Sequence, residues 1–183
     1  KIRKIAPRIY SSNLTEPIED IIRRNLFQIL GKLYPGAILS HRSALEYSPT
    51  KSGSIFLTYT YTKKVKLPGV TISFLEGHKP ISGDNIISGE LYVSQKARAF
   101  LENLQPTKNS GSQSKCLTLP ELEEKLEQII RINGEDEINK LRESAKSISL
   151  ILDMQKEFDR LSKIISALLA TQTSKILSSP LAL

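Results

Sequence analysis

The apolar positions of the first hundred residues alternate mainly with the two-residue period of β-strands. The segments "SIFLTYTYT" (54–62), "VTISFLEG" (70–77) and "IISGELYVS" (86–94) are rich in β-branched and aromatic residues. Gly, Pro or Asp bounds each of them, so the pattern predicts three strands. A shorter alternation in "RKIAPRIYSS" (3–12) predicts an edge strand, because Pro7 lacks a backbone donor.

Two helical patterns accompany these strands. The stretch "TEPIEDIIRRNLFQILGKLY" (15–34) has one apolar face, and it predicts a single helix with Thr15 as its cap and Pro17 in its first turn. The stretch "SQKARAFLENL" (94–104) predicts a second helix, capped by Ser94. Strands that are mixed with helices in this order predict a small α+β domain with a short antiparallel sheet.

The rest of the chain is helical in pattern. The segment "QPTKNSGSQSKC" (105–116) is polar and typical of a linker. Three amphipathic helices follow, and Thr118 is the predicted cap of the first. We therefore predict a basic α+β domain over 1–104, a linker over 105–116 and an all-α connector of about three helices over 117–183. The apolar stripes of the connector include Leu119, Leu122, Leu126, Ile138, Leu141, Ala145, Ile151, Leu161 and Ile165.

The positive charge of the chain lies in its first part. Residues 1–104 contain 15 Lys and Arg against 8 Asp and Glu, whereas residues 105–183 contain 11 of each kind. Clusters of this type form patches that attract phosphate backbones, although a basic surface is also simply well solvated. We predict a nucleic-acid or partner-binding face that includes the cations of "RR" and "KKVK", namely Arg23, Arg24, Lys63, Lys64 and Lys66.

The remaining composition excludes several classes of protein. No apolar run is long enough to span a membrane, and the first residues lack the apolar block of a secretory signal, so we expect a cytoplasmic protein. The single cysteine, Cys116, cannot form an internal disulfide and has no cluster of metal ligands beside it. We predict neither a metal site nor a cofactor.

The stretch "SHRS" (40–43) contains one of the two histidines and raises the question of catalysis. No G-x-S-x-G motif is present, and Ser40 and Ser43 suit the first turn of a short helix, so we do not expect a serine nucleophile. Arg42 at such a helix start suits a phosphate. The alternative is an ion pair of Arg42 with Glu46, four residues further on.

Two further patterns leave alternatives open. The segment "TYTYT" places Tyr59 and Tyr61 on one side of a strand, where they either pack together or stack on bases beside the lysines. The acidic residues Glu76, Asp84 and Glu90 lie on or between the predicted strands, which allows a nuclease-like metal site as a less favoured alternative.

Several longer strings resemble a known module. These strings are "APRIYSSN", "IIRRNLFQILGKLYPGAILSHRSALE", "LPGVTISFLEG" and "GELYVSQKARAFLENLQ". Together they resemble the AbiEi-type antitoxin module, in the version found ahead of the catalytic domain of some bacterial Fic (cell filamentation) proteins. The later strings "LEEKLEQIIRINGEDEINKLRESAKSIS" and "FDRLSKIISALLATQ" are similar to the helical connector that leads into that Fic domain.

The resemblance implies a regulatory part of a toxin–antitoxin-like protein. The Fic signature HPFxxGNGR is absent, because neither His41 nor His78 is followed by Pro-Phe, so we expect this chain to be non-catalytic. The implied partners are a Fic AMP-transferase domain in cis and DNA. Alternatives are a stand-alone AbiEi-type transcriptional regulator or a homodimer formed through the C-terminal helices.

Overall fold

The computed structural model describes residues 1–178 and divides the chain into two compact units. The α+β unit comprises Lys1–Gln95 and Thr107–Lys115, and the helical unit comprises Lys96–Pro106 and the chain from Cys116 onward. The predicted α+β class is confirmed. Residues 179–183, which end the predicted connector, lie outside the described residues.

This division differs from the predicted boundaries at 104 and 117. The helix Lys96–Asn103 belongs to the helical unit, where nearly its whole length is buried. Most of the predicted linker belongs to the α+β unit, because backbone carbonyls of Gly111 and Lys115 accept hydrogen bonds from Arg42 there. The segment is therefore attached to the α+β unit through its backbone carbonyls. Amino-acid composition does not reveal such hydrogen bonds, because every residue has a backbone carbonyl.

Besides a 3₁₀ helix (Gly111–Gln113), the α+β unit contains eight strands and three α-helices among its described residues. In chain order these are β1 (Arg3–Ala6), β2 (Ile9–Ser11), α1 (Ile18–Arg24), α2 (Leu26–Leu33), β3 (Ile38–Leu39), α3 (His41–Glu46), β4 (Ser54–Tyr59), β5 (Lys63–Leu67), β6 (Val70–Glu76), β7 (Asn85–Ser88) and β8 (Leu91–Val93). The strands β1 and β2 form an antiparallel hairpin. The others form one mixed sheet in the order β5-β6-β4-β3-β8-β7, in which β4 pairs with β6 and β3 with β8 in parallel.

The three predicted strands are present, but their limits differ. The segment 86–94 turns at Gly89 and forms two strands, β7 and β8. The segment 3–12 turns at Pro7-Arg8, where Arg8 has φ of 64°, so it forms a hairpin and not a single edge strand. The lysine-rich segment 63–67 is itself a strand, which the sequence analysis missed because most of its side chains are polar.

The predicted helix over 15–34 is also divided. It breaks at Asn25, whose φ of −105° and ψ of 14° separate α1 from α2. Thr15 is not its cap: Asn13 Oδ1 accepts the amides of Thr15 and Glu16, and α1 starts after Pro17. A cleft opens at this break, and the polar side of the two helices lines it. Arg23 and Arg24 lie on that side and are described with the cleft below.

The core of the α+β unit lies on both faces of the mixed sheet. One face, with Leu57 and Phe74, carries α1 and α2, since Tyr34 at the end of α2 contacts Phe74. The other face, with Phe56 and Thr58, is covered by α3. Burial of these apolar side chains is the main source of stability.

The helical unit comprises α4 (Lys96–Asn103), α5 (Leu119–Asn133), α6 (Glu135–Leu152) and α7 (Gln155–Ser178). The predicted Thr118 cap is confirmed as a capping box with Glu121. Most predicted stripe residues are buried, but Leu119 and Ile151 are exposed, with Leu152 buried in place of the latter. Within the described residues, no helix is both long and apolar enough to cross a membrane.

Candidate functional site

The "SHRS" stretch is closed to ligands by its own hydrogen bonds. Ser40 Oγ lies 2.9 Å from His41 Nδ1 and accepts a hydrogen bond from Thr58 Oγ1 at 2.9 Å. Ser43 Oγ accepts the amide of Phe56 at 3.0 Å. Ser40, His41 and Ser43 are all buried. These side chains therefore join α3 to β4, and they do not form a catalytic arrangement that substrate can reach.

Arg42 is likewise used within the fold. Its guanidinium makes two hydrogen bonds to the Glu46 carboxylate, at 3.0 and 2.9 Å, and a third to the Gly111 carbonyl at 2.9 Å. The residue is 7% exposed. Of the two alternatives, the structure adopts the ion pair with Glu46, so Arg42 stands apart from the other predicted cations.

A cleft of about 890 Å³ opens beside the break between α1 and α2. Three cationic side chains line it, those of Arg23, Arg24 and Lys51, together with the loop from Tyr47 to Gly53. Among the described residues that line this cleft, none carries a carboxylate. A concave site with cations and without carboxylates favours an anionic ligand.

Local structure positions each of these cations. Arg23 and Arg24 are the last two residues of α1. The chain turns at Asn25, and the first turn of α2 then lines another side of the same cleft. Lys51 sits in a tight turn in which Gly53 N–H bonds to Thr50 O at 2.8 Å and Thr50 N–H to Ser54 O at 2.9 Å. All three side chains belong to exposed residues. The turn thus presents Lys51 from a fixed backbone.

Glu16 does not line the cleft, but its carboxylate lies next to Arg24 and affects the charge there. Arg24 makes a bidentate pair with Glu16, with contacts of 2.6 and 2.9 Å, although the Arg24 side chain remains 62% exposed. Such an exposed pair is worth little stability because water and salt screen it. It does lower the positive potential that a ligand meets at Arg24.

A second, smaller cleft of about 400 Å³ lies next to the first. Asn25 and Gln28 line both clefts, so the two are neighbours along α2. Arg8 and Lys32 line the second cleft, and again no carboxylate lies among its described lining residues. We call the five cations of the two clefts the basic surface: Arg8, Arg23, Arg24, Lys32 and Lys51.

The three predicted lysines lie on β5, at the edge of the mixed sheet. Lys64 and Lys66 extend from one face of this strand and Lys63 from the other, because side chains alternate along a strand. All three are exposed. Lysines are common on edge strands, where they discourage pairing with other chains. The structure therefore divides the predicted set between β5 and the first cleft.

An aromatic cluster lies at the end of the sheet next to Lys63. Tyr34, Tyr59, Tyr61 and Phe74 have ring centroids between 4.6 and 6.3 Å apart. Burial raises the pKa of Tyr34 and of Tyr61, and neighbouring tyrosines raise both further, while Arg8 acts in the opposite direction on Tyr34. Tyr59 and Tyr61 pack on each other with ring centroids 5.1 Å apart, but they do not share a strand as predicted, because β4 ends at Tyr59 and Tyr61 lies in the loop that follows.

The acidic residues of the nuclease alternative do not converge. Asp84 holds its own loop, since its two carboxylate oxygens accept the amides of Ile81 and Gln95. Glu76 ends β6, and Glu90 lies in the turn between β7 and β8. Within residues 1–178, no group of three His, Cys, Asp or Glu side chains is placed to hold a metal ion.

Sequence reasoning missed three members of the basic surface. Arg8, Lys32 and Lys51 stand alone among polar or apolar neighbours, so no charge cluster marks them. Only the folding of the β1–β2 hairpin, α2 and the loop after α3 places them in the two neighbouring clefts. Lys51 had one local signal, the "SPTKSGS" turn composition, which predicts exposure but not what lies opposite.

The chain was compared with protein-family models, curated proteins and solved structures, and none gave a significant match.

Proposed function

We propose that the chain is a non-catalytic binding module whose α+β unit binds nucleic acid through the basic surface. The observation that carries this proposal is the pair of neighbouring clefts, whose lining holds five cations and no carboxylate among the described residues. Phosphate groups are the anions that repeat along a polymer, so cations that are distributed over two neighbouring clefts suit a nucleic-acid backbone better than a single small anion.

The charge distribution supports the same assignment. The α+β unit has 15 Lys and Arg against 7 Asp and Glu, a net charge of +8, whereas the helical unit has 11 against 12, a net charge of −1. Such a field steers a polyanion toward one unit of the chain. The lysines of β5 add to this field from the sheet edge and are proposed as secondary contacts.

The regulatory part of the proposal rests on the resemblance to AbiEi-type modules of bacterial Fic proteins. In that setting the helical unit would connect the α+β unit to a Fic AMP-transferase domain, and nucleic acid would be the signal. A stand-alone AbiEi-type regulator would use the same surface without a catalytic domain. The α+β unit would bind nucleic acid in both cases.

The direct test is a titration of fluorescently labelled mixed-sequence DNA, single-stranded and duplex, followed by anisotropy. We expect affinity for at least one form to fall steeply between about 50 and 200 mM salt, because bound phosphates release counterions. The variant Arg23→Glu/Lys51→Glu should lose most of this affinity and reduce the salt slope. Lys64→Glu/Lys66→Glu should have a smaller effect.

Two controls test whether the change in affinity is specific to the basic surface. The variant Lys146→Glu/Lys163→Glu alters the net charge by the same amount at exposed sites of the helical unit, and it should bind like the unaltered chain. Glu16→Gln should tighten binding severalfold by releasing Arg24 from its ion pair. If Arg23→Glu/Lys51→Glu and Lys146→Glu/Lys163→Glu lost equal affinity, the effect would be one of net charge, and this would contradict the proposed surface. Absence of DNA binding at low salt would overturn the proposal and leave a protein partner, first the Fic domain.

A further inference from the structure

Tyr61 occupies an unusual position at the end of the mixed sheet. The loop 60–62 joins β4 to β5 and crosses the end of β6, which lies between those two strands. Thr62 Oγ1 accepts the amide of Glu76 at 3.1 Å and Tyr59 O accepts the amide of Gly77 at 3.2 Å, so this crossing is fixed. Tyr61 rests with its ring centroid 5.5 Å from that of Phe74 and is 38% exposed.

An exposed cation lies next to this aromatic cluster. Lys63 follows two residues after Tyr61 and lies opposite Phe74 in the pairing of β5 with β6. Arg8, which lines the second cleft, acts to lower the pKa of the Tyr34 hydroxyl. The exposed ring of Tyr61 therefore lies beside the exposed side chain of Lys63, in the same α+β unit as the basic surface.

A base can stack on such a ring only when it is not already stacked in a duplex. Proteins that bind single strands combine a basic groove with aromatic side chains, and each stacked base contributes substantially to affinity. A duplex offers its phosphates to the same cations but keeps its bases inside the helix. We therefore expect an exposed ring at Tyr61, together with the basic surface, to favour the single-stranded form.

We propose that the α+β unit prefers single-stranded nucleic acid and that Tyr61 is a stacking platform for one of its bases. This inference rests on the proposed function and names the ligand class. In this arrangement Lys63 holds a phosphate next to the stacked nucleotide, and the cations of the basic surface hold others. The buried Phe74 ring contacts Tyr61 edge-to-face, so the Tyr61 ring rests on the core of the unit.

The test compares a labelled single strand of about 16 nucleotides with its duplex, since single-strand sites extend to roughly that length. The unaltered chain should bind the single strand more tightly than the duplex. Tyr61→Leu keeps an apolar cover on Phe74 but removes the stacking ring, and it should weaken single-strand binding about tenfold while duplex binding stays unchanged. Tyr61→Phe retains the ring and should bind like the unaltered chain.

A strand of abasic phosphodiester units provides a second readout. It carries the charges without bases, so it should bind more weakly than the normal strand and should not distinguish Tyr61→Leu from the unaltered chain. Thermal unfolding of each variant checks that the fold is retained. If the Leu variant is unstable, the comparison of the normal strand with the abasic strand still tests stacking, because it removes the bases and leaves the protein unaltered.

The outcomes separate the two proposals. Salt-sensitive binding in which the duplex is preferred, or in which Tyr61→Leu loses nothing, overturns this inference and leaves the proposed function standing. If neither form binds at low salt, both fail.

Discussion

Arg42 illustrates how the same residue can be read as a ligand or as part of the fold. Its guanidinium is hydrogen-bonded to Glu46 and to the Gly111 carbonyl, and it is almost entirely buried. Truncation would remove the guanidinium donors of the Glu46 carboxylate, and the Gly111 carbonyl would keep only the amide of Ser114. We expect Arg42→Ala to lower the free energy of unfolding by about 3 kcal/mol, as is typical when one partner of a buried ion pair is removed.

Chemical denaturation followed by circular dichroism measures this loss. Lys51→Ala is the matched control: it removes an exposed cation and should change stability by no more than about 0.5 kcal/mol while it weakens DNA binding. An Arg42→Ala chain that is fully stable but no longer binds DNA would show Arg42 to be a ligand, contrary to its geometry.

The sequence predicted the residue types of the site better than their grouping. Arg23 and Arg24 are adjacent in the chain and remain together in the cleft, so a local charge cluster was sufficient to find them. Lys63, Lys64 and Lys66 are equally clustered in sequence, but the alternation of a strand separates them between two faces. Lys51 belongs to the cleft through a tertiary contact, and no local pattern encodes that.

At the scale of elements, the packing of α2 against β7 depends on Gly31. A Cβ built at this position would lie 2.2 Å from the carbonyl oxygen of Ser88, which is far shorter than any van der Waals contact. Because the obstacle is backbone, helix and strand would have to move apart. We expect Gly31→Ala to destabilise the chain by about 1 to 3 kcal/mol, despite the roughly 1 kcal/mol that Ala gains in helix propensity.

Thermal or denaturant unfolding of the purified variant tests this expectation. Gln28→Ala, at an exposed position of the same helix, should remain within about 0.5 kcal/mol of the unaltered chain. A stability gain in Gly31→Ala would mean that the helix sits further from Ser88 than the structure places it.

Element types were largely predictable, and element boundaries were not. The capping box at Thr118 and the strands at 54–59 and 70–76 follow from local composition and periodicity. The break at Asn25 leaves the apolar periodicity almost undisturbed, so only the backbone angles reveal it. The strand β5 gains its pairing from β6 through the tight turn at Pro68-Gly69, which overrides the weak strand preference of lysine.

At the scale of the whole molecule, chain order and spatial grouping disagree. Composition marked 105–116 as a linker, but Thr107–Lys115 returns to the α+β unit, and Lys96–Pro106 belongs to the helical unit. The chain therefore passes between the units three times. A boundary drawn from sequence alone would cut α4 from its helical neighbours and the Gly111 carbonyl from Arg42.

The two units carry separate natural reporters, which allows their unfolding to be followed separately. All six tyrosines lie within residues 1–95 of the α+β unit, and the chain contains no tryptophan. Cys116 belongs to the helical unit, where it is buried and its Sγ lies 3.6 Å from the carbonyl oxygens of Glu102 and Gln105. Tyrosine fluorescence thus reports one unit and thiol labelling reports the other.

We expect two distinct transitions in denaturant, because each unit buries its own apolar core. Arg42→Ala should shift the tyrosine-detected transition to a lower denaturant concentration, because Arg42, Glu46 and Gly111 all belong to the α+β unit. The denaturant concentration at which Cys116 becomes reactive should not change. Coincident transitions that shift together in this variant would mean that the chain unfolds as a single cooperative unit. In that case ligand binding at the basic surface would also stabilise the helical unit against unfolding.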